Sequence, residues 1–233
     1  MRDLFRGFLR RGVHLYMVKL QKSFSSCNYI IPVFFSYSSG TVIDMGKTDI
    51  RSFIALDIKE GQVLKEIERV QAEFDRMVPG KIKFVELENL HVTLKFLGER
   101  PPSEIRRIHA AIQEIDPFPA GGIKVLLKGV GVFNKRRPRV LWTRLIDTTG
   151  TVDKAFQEIE DTLEGELGIE KERRKFKAHL TIARIRRVND LAVLHEFLGS
   201  CKDRVMGEQI LDRISYKQSV LTPQGPIYSE IEY

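Results

Sequence analysis

Leu90-His91-Val92-Thr93-Leu94-Lys95-Phe96 alternates apolar with polar side chains, and a near-copy follows much later in the chain, Ala178-His179-Leu180-Thr181-Ile182-Ala183. Alternation with a period of two marks a β-strand, whose successive side chains point to opposite faces. Each strand therefore aims one imidazole and one hydroxyl the same way, with Val92 and Leu180 on the other face. Two such strands suggest two imidazoles flanking one site, an arrangement suited to paired general acid–base catalysis.

Working outward, Arg51–Ile58 reads as a strand whose apolar residues are partly consecutive, as in a buried one. Val63, Leu64, Ile67, Val70, Phe74 and Met77 fall on one face of a helix that Pro79-Gly80 closes. The first His strand ends at Gly98. Pro101-Pro102-Ser103-Glu104 opens a second helix, with Ile105, Ile108, Ile112 and Ile115 inward. Ile123–Val132 and Arg139–Ile146 read as strands. Val152, Phe156, Ile159 and Leu163 then mark a helix, Lys177–Ile185 the second His strand and Leu191–Leu198 another helix. Gln209–Leu221 and Ile227–Tyr233 read as a final strand pair. Strands and helices thus recur in the same order in both halves. The expected fold class is α+β, with two pseudo-repeated halves forming two lobes, antiparallel sheets lining a central cleft and helices outside.

With 233 residues, 42% hydrophobic and 30% charged, the chain has an ordinary globular composition and can bury a sizeable core. No run approaches the roughly 20 apolar residues of a membrane span, so no membrane association is expected. The net charge of +7 suits an anionic partner such as RNA without demanding one. Two cysteines, Cys27 and Cys201, form neither a disulfide framework nor a zinc motif, and point to a reducing, cytoplasmic setting.

Residues 1–45 stand apart. They hold six basic residues (Arg2, Arg6, Arg10, Arg11, Lys19, Lys22) against two acids (Asp3, Asp44), so more than half of the net charge lies there. Ser23 to Ser39 is rich in serine and aromatics with no clear period. A targeting segment, a membrane-surface anchor, and a disordered tail or mis-assigned start upstream of Met45 are the three readings. The last is the expectation, because a clean strand begins just after Met45. The domain plan is therefore 1–45 as an extension and 46–233 as one domain with two lobes.

The two motifs, His91-Val92-Thr93-Leu94-Lys95-Phe96-Leu97-Gly98 and His179-Leu180-Thr181-Ile182-Ala183-Arg184, resemble the paired His-x-Thr-x motifs of the 2H phosphoesterase superfamily. The closer likeness is to its RNA 2′,3′-cyclic phosphodiesterase branch, once named 2′-5′ RNA ligase. Arg51-Ser52-Phe53-Ile54-Ala55-Leu56-Asp57, Arg139-Val140-Leu141-Trp142 and Leu221-Thr222-Pro223-Gln224-Gly225-Pro226-Ile227-Tyr228 resemble other strands of that branch. The likeness covers about residues 50–233 and leaves the first 44 without a counterpart. It implies a bilobal α+β sandwich around a basic cleft and a reaction that needs no metal or other cofactor. The partner it implies is RNA with 2′,3′-cyclic phosphate ends, tRNA-like or as small nucleotides. A monomer is expected.

An imidazole with a pKa near 6.5 gives or takes a proton at neutral pH. The resemblance makes His179 the base that activates water and His91 the acid that protonates the departing 3′-oxygen, leaving a 2′-phosphate. The motifs are nearly symmetric, so the residues alone do not say which is which, and in ligation the roles would exchange. Thr93 and Thr181 are placed to donate to the phosphate oxygens as charge builds there. Arg184 has the wrong parity for a regular strand. It is expected at the strand's end or past a bend, where the family pattern makes it a phosphate or RNA ligand. Lys95 shares parity with His91 and Thr93, so it is a candidate cation for the cleft. Arg136 and Arg137, in a basic loop with Lys135, Arg139 and Phe133, are candidates for RNA phosphates. A second basic cluster is Arg173, Arg174, Lys175 and Lys177, and Trp142 is a candidate stacking partner for a base. Two other readings stand beside the leading one: a related phosphodiesterase for another small nucleotide, and a non-catalytic RNA-binding module.

Overall fold

The computed structural model describes residues 13–19, 30–36, 49–223 and 225–232. The chain divides into two compact units, Met1–Lys47 and Thr48–Tyr233. In the first, β1 (Val13–Lys19) pairs antiparallel with β2 (Ile30–Ser36), in register from Val13↔Ser36 to Lys19↔Ile30. The sequence reading assigned no regular element there. Most of residues 1–45, Cys27 among them, lie outside the described residues, and with them the expectation of a tail or mis-assigned start.

The second unit runs β3 (Ile50–Asp57), α1 (Gly61–Met77), β4 (Gly80–Phe84), a 3₁₀ turn (Leu87–Asn89), β5 (His91–Arg100) and α2 (Pro102–Gln113). It continues with β6 (Ile123–Val132), β7 (Val140–Ile146), α3 (Thr151–Leu167), β8 (His179–Val188), α4 (Leu191–Ser200), β9 (Val205–Leu211), β10 (Ser215–Leu221) and β11 (Pro226–Glu230). The spacing read for α1 holds, since Val63, Ile67, Val70 and Phe74 are fully buried. Met77, read on that face, is exposed at the helix end. Asp190 starts α4 by accepting from the Ala192 and Val193 backbone N–H groups.

One antiparallel sheet contains all nine strands, in the order β11-β10-β3-β5-β8-β7-β6-β9, with β4 added to β8. Its middle is thin. β5 and β8 pair only at Val92↔Leu180, and both side chains are wholly buried. Beyond that point β5 leaves β8, and β4 takes its place along Ala183–Val188. The sheet therefore divides into two lobes that meet at one backbone pair, and each lobe carries one His strand.

The lobes are not the two halves of the sequence. α1, from the first half, packs on β8, β9 and α4, whereas α3, from the second, packs on α2 and β5. The run read as one strand, Gln209–Leu221, is two. β9 ends at Leu211 on β6, residues 212–214 carry the chain across, and β10 begins at Ser215 on β3. The sequence reading places no strand at β4, whose five residues are too few to show a clear period. The exchange of elements produces one shared core that runs under both lobes.

Candidate active site

Both His strands carry a β-bulge in the same place. On β5 the register slips between Thr93 and Lys95, and on β8 it slips between Thr181 and Ala183. A bulge puts two consecutive residues on one side and inverts the parity of the residues beyond it. Burial shows it directly: Val92, Leu94 and Lys95 are buried while His91, Thr93 and Phe96 face outward, and β8 repeats this pattern through Ile182, Ala183 and Arg184. Arg184 thereby lands on the face of His179 and Thr181, past the bend its parity required. Phe96 takes the matching place on β5 and is 66% exposed.

The same bulge overturns the reading of Lys95. Its ammonium points away from the histidines, 2.6 Å from Glu160 Oε1 on α3, and donates also to the Glu170 carbonyl. Parity counted from His91 failed because Leu94 is the extra residue.

His91 and His179 are held alike. Nδ1 of His91 lies 2.7 Å from the Asn89 carbonyl, and Nδ1 of His179 lies 2.7 Å from the Lys177 carbonyl. A carbonyl only accepts, so each Nδ1 carries the proton and each Nε2 is left to exchange one. The Val92↔Leu180 pair is antiparallel. Continuing its register sets His91 opposite Thr181 and Thr93 opposite His179, all four on the face away from the core. One chain thus brings the two imidazoles and the two hydroxyls together.

Their surroundings differ. His91 packs against Phe53, with ring centroids 4.8 Å apart, and against the edge of Tyr228 at 5.2 Å. Across the β3–β5 ladder its neighbour is Asp57, whose carboxylate holds Lys217 at 2.6 Å and Lys59 at 3.0 Å and accepts from Ser215 Oγ. Burial pushes the His91 pKa below its ordinary value, and the Lys217 and Arg184 cations push the same way. The Asn89 hydrogen bond and the Asp57 charge oppose them without prevailing. Burial works to raise the Asp57 pKa, but its two lysine partners outweigh it and hold the carboxyl below the usual range. Tyr228 is raised by burial, with the Arg184 guanidinium beside it. Among the described residues His179 meets a single ring, Phe133, edge-on at 4.9 Å.

A groove opens beside each histidine. The one next to His91 has a volume of about 360 Å³ and is lined by Arg51, Phe53, Lys83, Phe96, Arg184, Arg186 and Tyr228, with the β10–β11 turn as its far wall. The one containing His179 has a volume of about 780 Å³, and its walls include Phe133, Trp142, Arg144, Asp147, Asp153 and Lys177. Trp142 lies opposite Thr181 in the β7–β8 ladder, 5.4 Å from the Phe133 ring, and its buried indole N–H meets no acceptor among the described residues. It packs so tightly on Gly131 that a Cβ there would stand 2.6 Å from the indole.

Arg136 and Arg137 line neither groove. Their loop is exposed, and their backbone N–H groups cap the Asn134 side chain at 3.0 Å each. Of the second basic cluster, Lys177 reaches the His179 groove, while Arg173 and Arg174 line a separate one with Phe96 and Arg100. Asp57, Lys217, Phe53 and Tyr228 escaped the sequence reading as site residues. Parity along β3 places Phe53 and Asp57 on one face, which could have found them, but Lys217 was hidden in the merged strand. Among the described residues no three His, Cys, Asp or Glu side chains gather as a metal set, and no helix is long and apolar enough to cross a membrane.

Known proteins are similar to this chain along most of its second unit. A Methanocaldococcus jannaschii protein named RNA 2′,3′-cyclic phosphodiesterase is 36% identical over 184 residues, covering 78% of this chain and 99% of that one. A Methanothermobacter thermautotrophicus protein of the same name is 31% identical over 191 residues, covering 78% and 97%. A solved Thermus thermophilus structure superposes with a TM-score of 0.65 at 26% identity, over 78% of this chain and 96% of that one. The family profile described as LigT like phosphoesterase matches residues 57–142 and 146–228, the stretches that carry both His strands and both bulges, and the chain belongs to that phosphoesterase family.

Proposed function

We propose that the chain hydrolyses the 2′,3′-cyclic phosphate at an RNA end to a 2′-phosphate. His179 takes a proton from water, whose oxygen forms the new bond to phosphorus. The bond from phosphorus to the 3′-oxygen breaks, and His91 gives its proton to that oxygen. Thr93 and Thr181 donate hydrogen bonds to the non-bridging oxygens, where charge grows in the transition state. Arg184, on the same face, adds positive charge. The observation that carries this reading is the matched pair of imidazoles, each tethered through Nδ1 and presented by strands that meet at Val92↔Leu180. The names of the relatives supply the substrate class.

The mechanism needs only side chains of one chain, so a monomer working without a metal is part of the proposal. A cytoplasmic site is part of it too, in keeping with the buried free thiol of Cys201. The test is turnover of a 2′,3′-cyclic mononucleotide in EDTA by wild type, His91→Ala and His179→Ala, with NMR of the product. Each variant should lose about 10²–10⁴-fold in rate, and the product should be the 2′-phosphate. Variants at wild-type rate, activity lost to the chelator, or a 3′-phosphate product would each defeat a stated part of the mechanism.

A further inference from the structure

The two grooves beside the histidines are unlike in charge, and the reaction is directional. We propose that the RNA strand upstream of the reacting end lies in the groove on the His91 side, along Arg184, Lys83, Arg186 and Arg51, while the His179 groove admits the water. This rests on the hydrolytic reading above.

The first support is electrostatic. Four cations and no acid line the His91 groove, whereas in the other Arg144 and Lys177 are matched by Asp147 and Asp153. A phosphodiester chain carries one negative charge per nucleotide and is drawn to the first kind of surface. Glu86, near Tyr228, is the carboxylate that approaches this groove. Among the described residues no carboxylate is ion-paired with Arg51, Arg184 or Arg186. Lys83 and Arg184 stand directly opposite each other in the β4–β8 ladder.

The second support is the geometry of the reaction. In-line displacement sets the entering water opposite the departing oxygen. If His91 protonates the 3′-oxygen, the ribose and everything joined to its 5′ side lie on the His91 side of the phosphorus. That is the groove lined by the four cations. With the roles of the histidines exchanged, the strand would lie along Asp147 and Asp153. Arg51 is six residues along β3 from Asp57, the neighbour of His91, so the track is about 20 Å long at 3.3 Å per residue. That is longer than one nucleotide. The enzyme should therefore read an oligonucleotide end rather than a mononucleotide alone.

The test is binding, which does not depend on turnover. A 5′-labelled tetraribonucleotide ending in a 2′-phosphate is titrated at several salt concentrations, beside the 2′-mononucleotide, against wild type, Arg51→Ala, Arg186→Ala and the double variant. Both side chains are exposed, so neither change threatens the fold. The tetranucleotide should bind more tightly than the mononucleotide, and each arginine removed should lower its salt slope by about 0.7. A double variant with the wild-type slope overturns the proposal, as does loss of the slope in Arg144→Ala and Lys177→Ala instead. Hydrolysis of the cyclic mononucleotide tests the reaction separately. If that fails while the slopes respond, the hydrolytic reading falls and the strand path stands.

Discussion

Lys95 Nζ lies 2.6 Å from Glu160 Oε1 with both side chains almost wholly out of water, at 5% and 2% exposure. Glu160 Oε2 also accepts from the Glu172 backbone N–H. One buried ion pair therefore ties β5, α3 and the segment that leads to His179. Removing one partner leaves a buried charge without its counter-charge, which costs about 3–5 kcal/mol. Glu160→Gln should lose that much stability in urea denaturation, and Lys95→Met with Glu160→Leu should recover most of it. A single variant within about 1 kcal/mol of wild type would show the pair to be incidental.

The pH profile follows from the cage around His91. In the proposed role of acid it must carry its proton, and burial holds its pKa below the ordinary 6.5. The rate constant kcat/KM reports the free enzyme, so it should fall as pH rises through a value below 6.5. The charges acting on His91 are Lys217, Asp57 and Arg184. Lys217→Met removes a cation that disfavours the imidazolium and should move the falling limb to higher pH. Asp57→Asn removes an anion and should move it lower. Bound phosphate favours the imidazolium, so the limb of kcat should lie above that of kcat/KM. Shifts of the opposite sign would remove His91 from the role of acid.

Thr93 and Thr181 predict a division between kcat and KM. A donor aimed at the charge of the transition state costs about 10²–10³-fold in kcat when removed. Thr93→Val and Thr181→Val keep the shape and lose the hydroxyl, so each should lower kcat in that range with a smaller change in KM. A change confined to KM would mean the hydroxyls bind the ground state and do no more.

Trp142 is the single tryptophan of the chain, and Gly131 lies flat against it. Gly131→Ala adds a methyl where the indole already is. Overpacking of this kind costs about 1–3 kcal/mol. The indole should be displaced toward Phe133 and the His179 groove, and the emission spectrum should shift. Unchanged fluorescence and stability would mean the strand pair relaxes freely at that point.

The regular parts of the fold were legible because they rest on local periodicity. The α1 stripe of Val63, Ile67, Val70 and Phe74, and the alternation through His91 and His179, are written in the chain itself. The connections between lobes were not, because nothing local distinguishes Leu211 leaving one lobe from Ser215 entering the other. The imidazoles and hydroxyls that the strands turn to one face are legible from their repetition. Lys95 was misplaced and Arg184 only half placed because a bulge depends on the partner strand's register, not on the bulged residues alone. Asp57 from β3 meets Lys217 and Tyr228 of the β10–β11 hairpin at His91, from the far end of the chain, and composition gives no sign of their meeting.

The junction between β5 and β8 has one consequence for the chemistry. A long ladder fixes its strands through many backbone hydrogen bonds, each indifferent to side-chain size. Here a single backbone pair joins the two His strands, and Val92 and Leu180 fill the space directly beneath the face that carries the imidazoles. In the proposed reaction, the reach of a proton transfer on one surface of the sheet thus depends on the volume of two aliphatic side chains on the other.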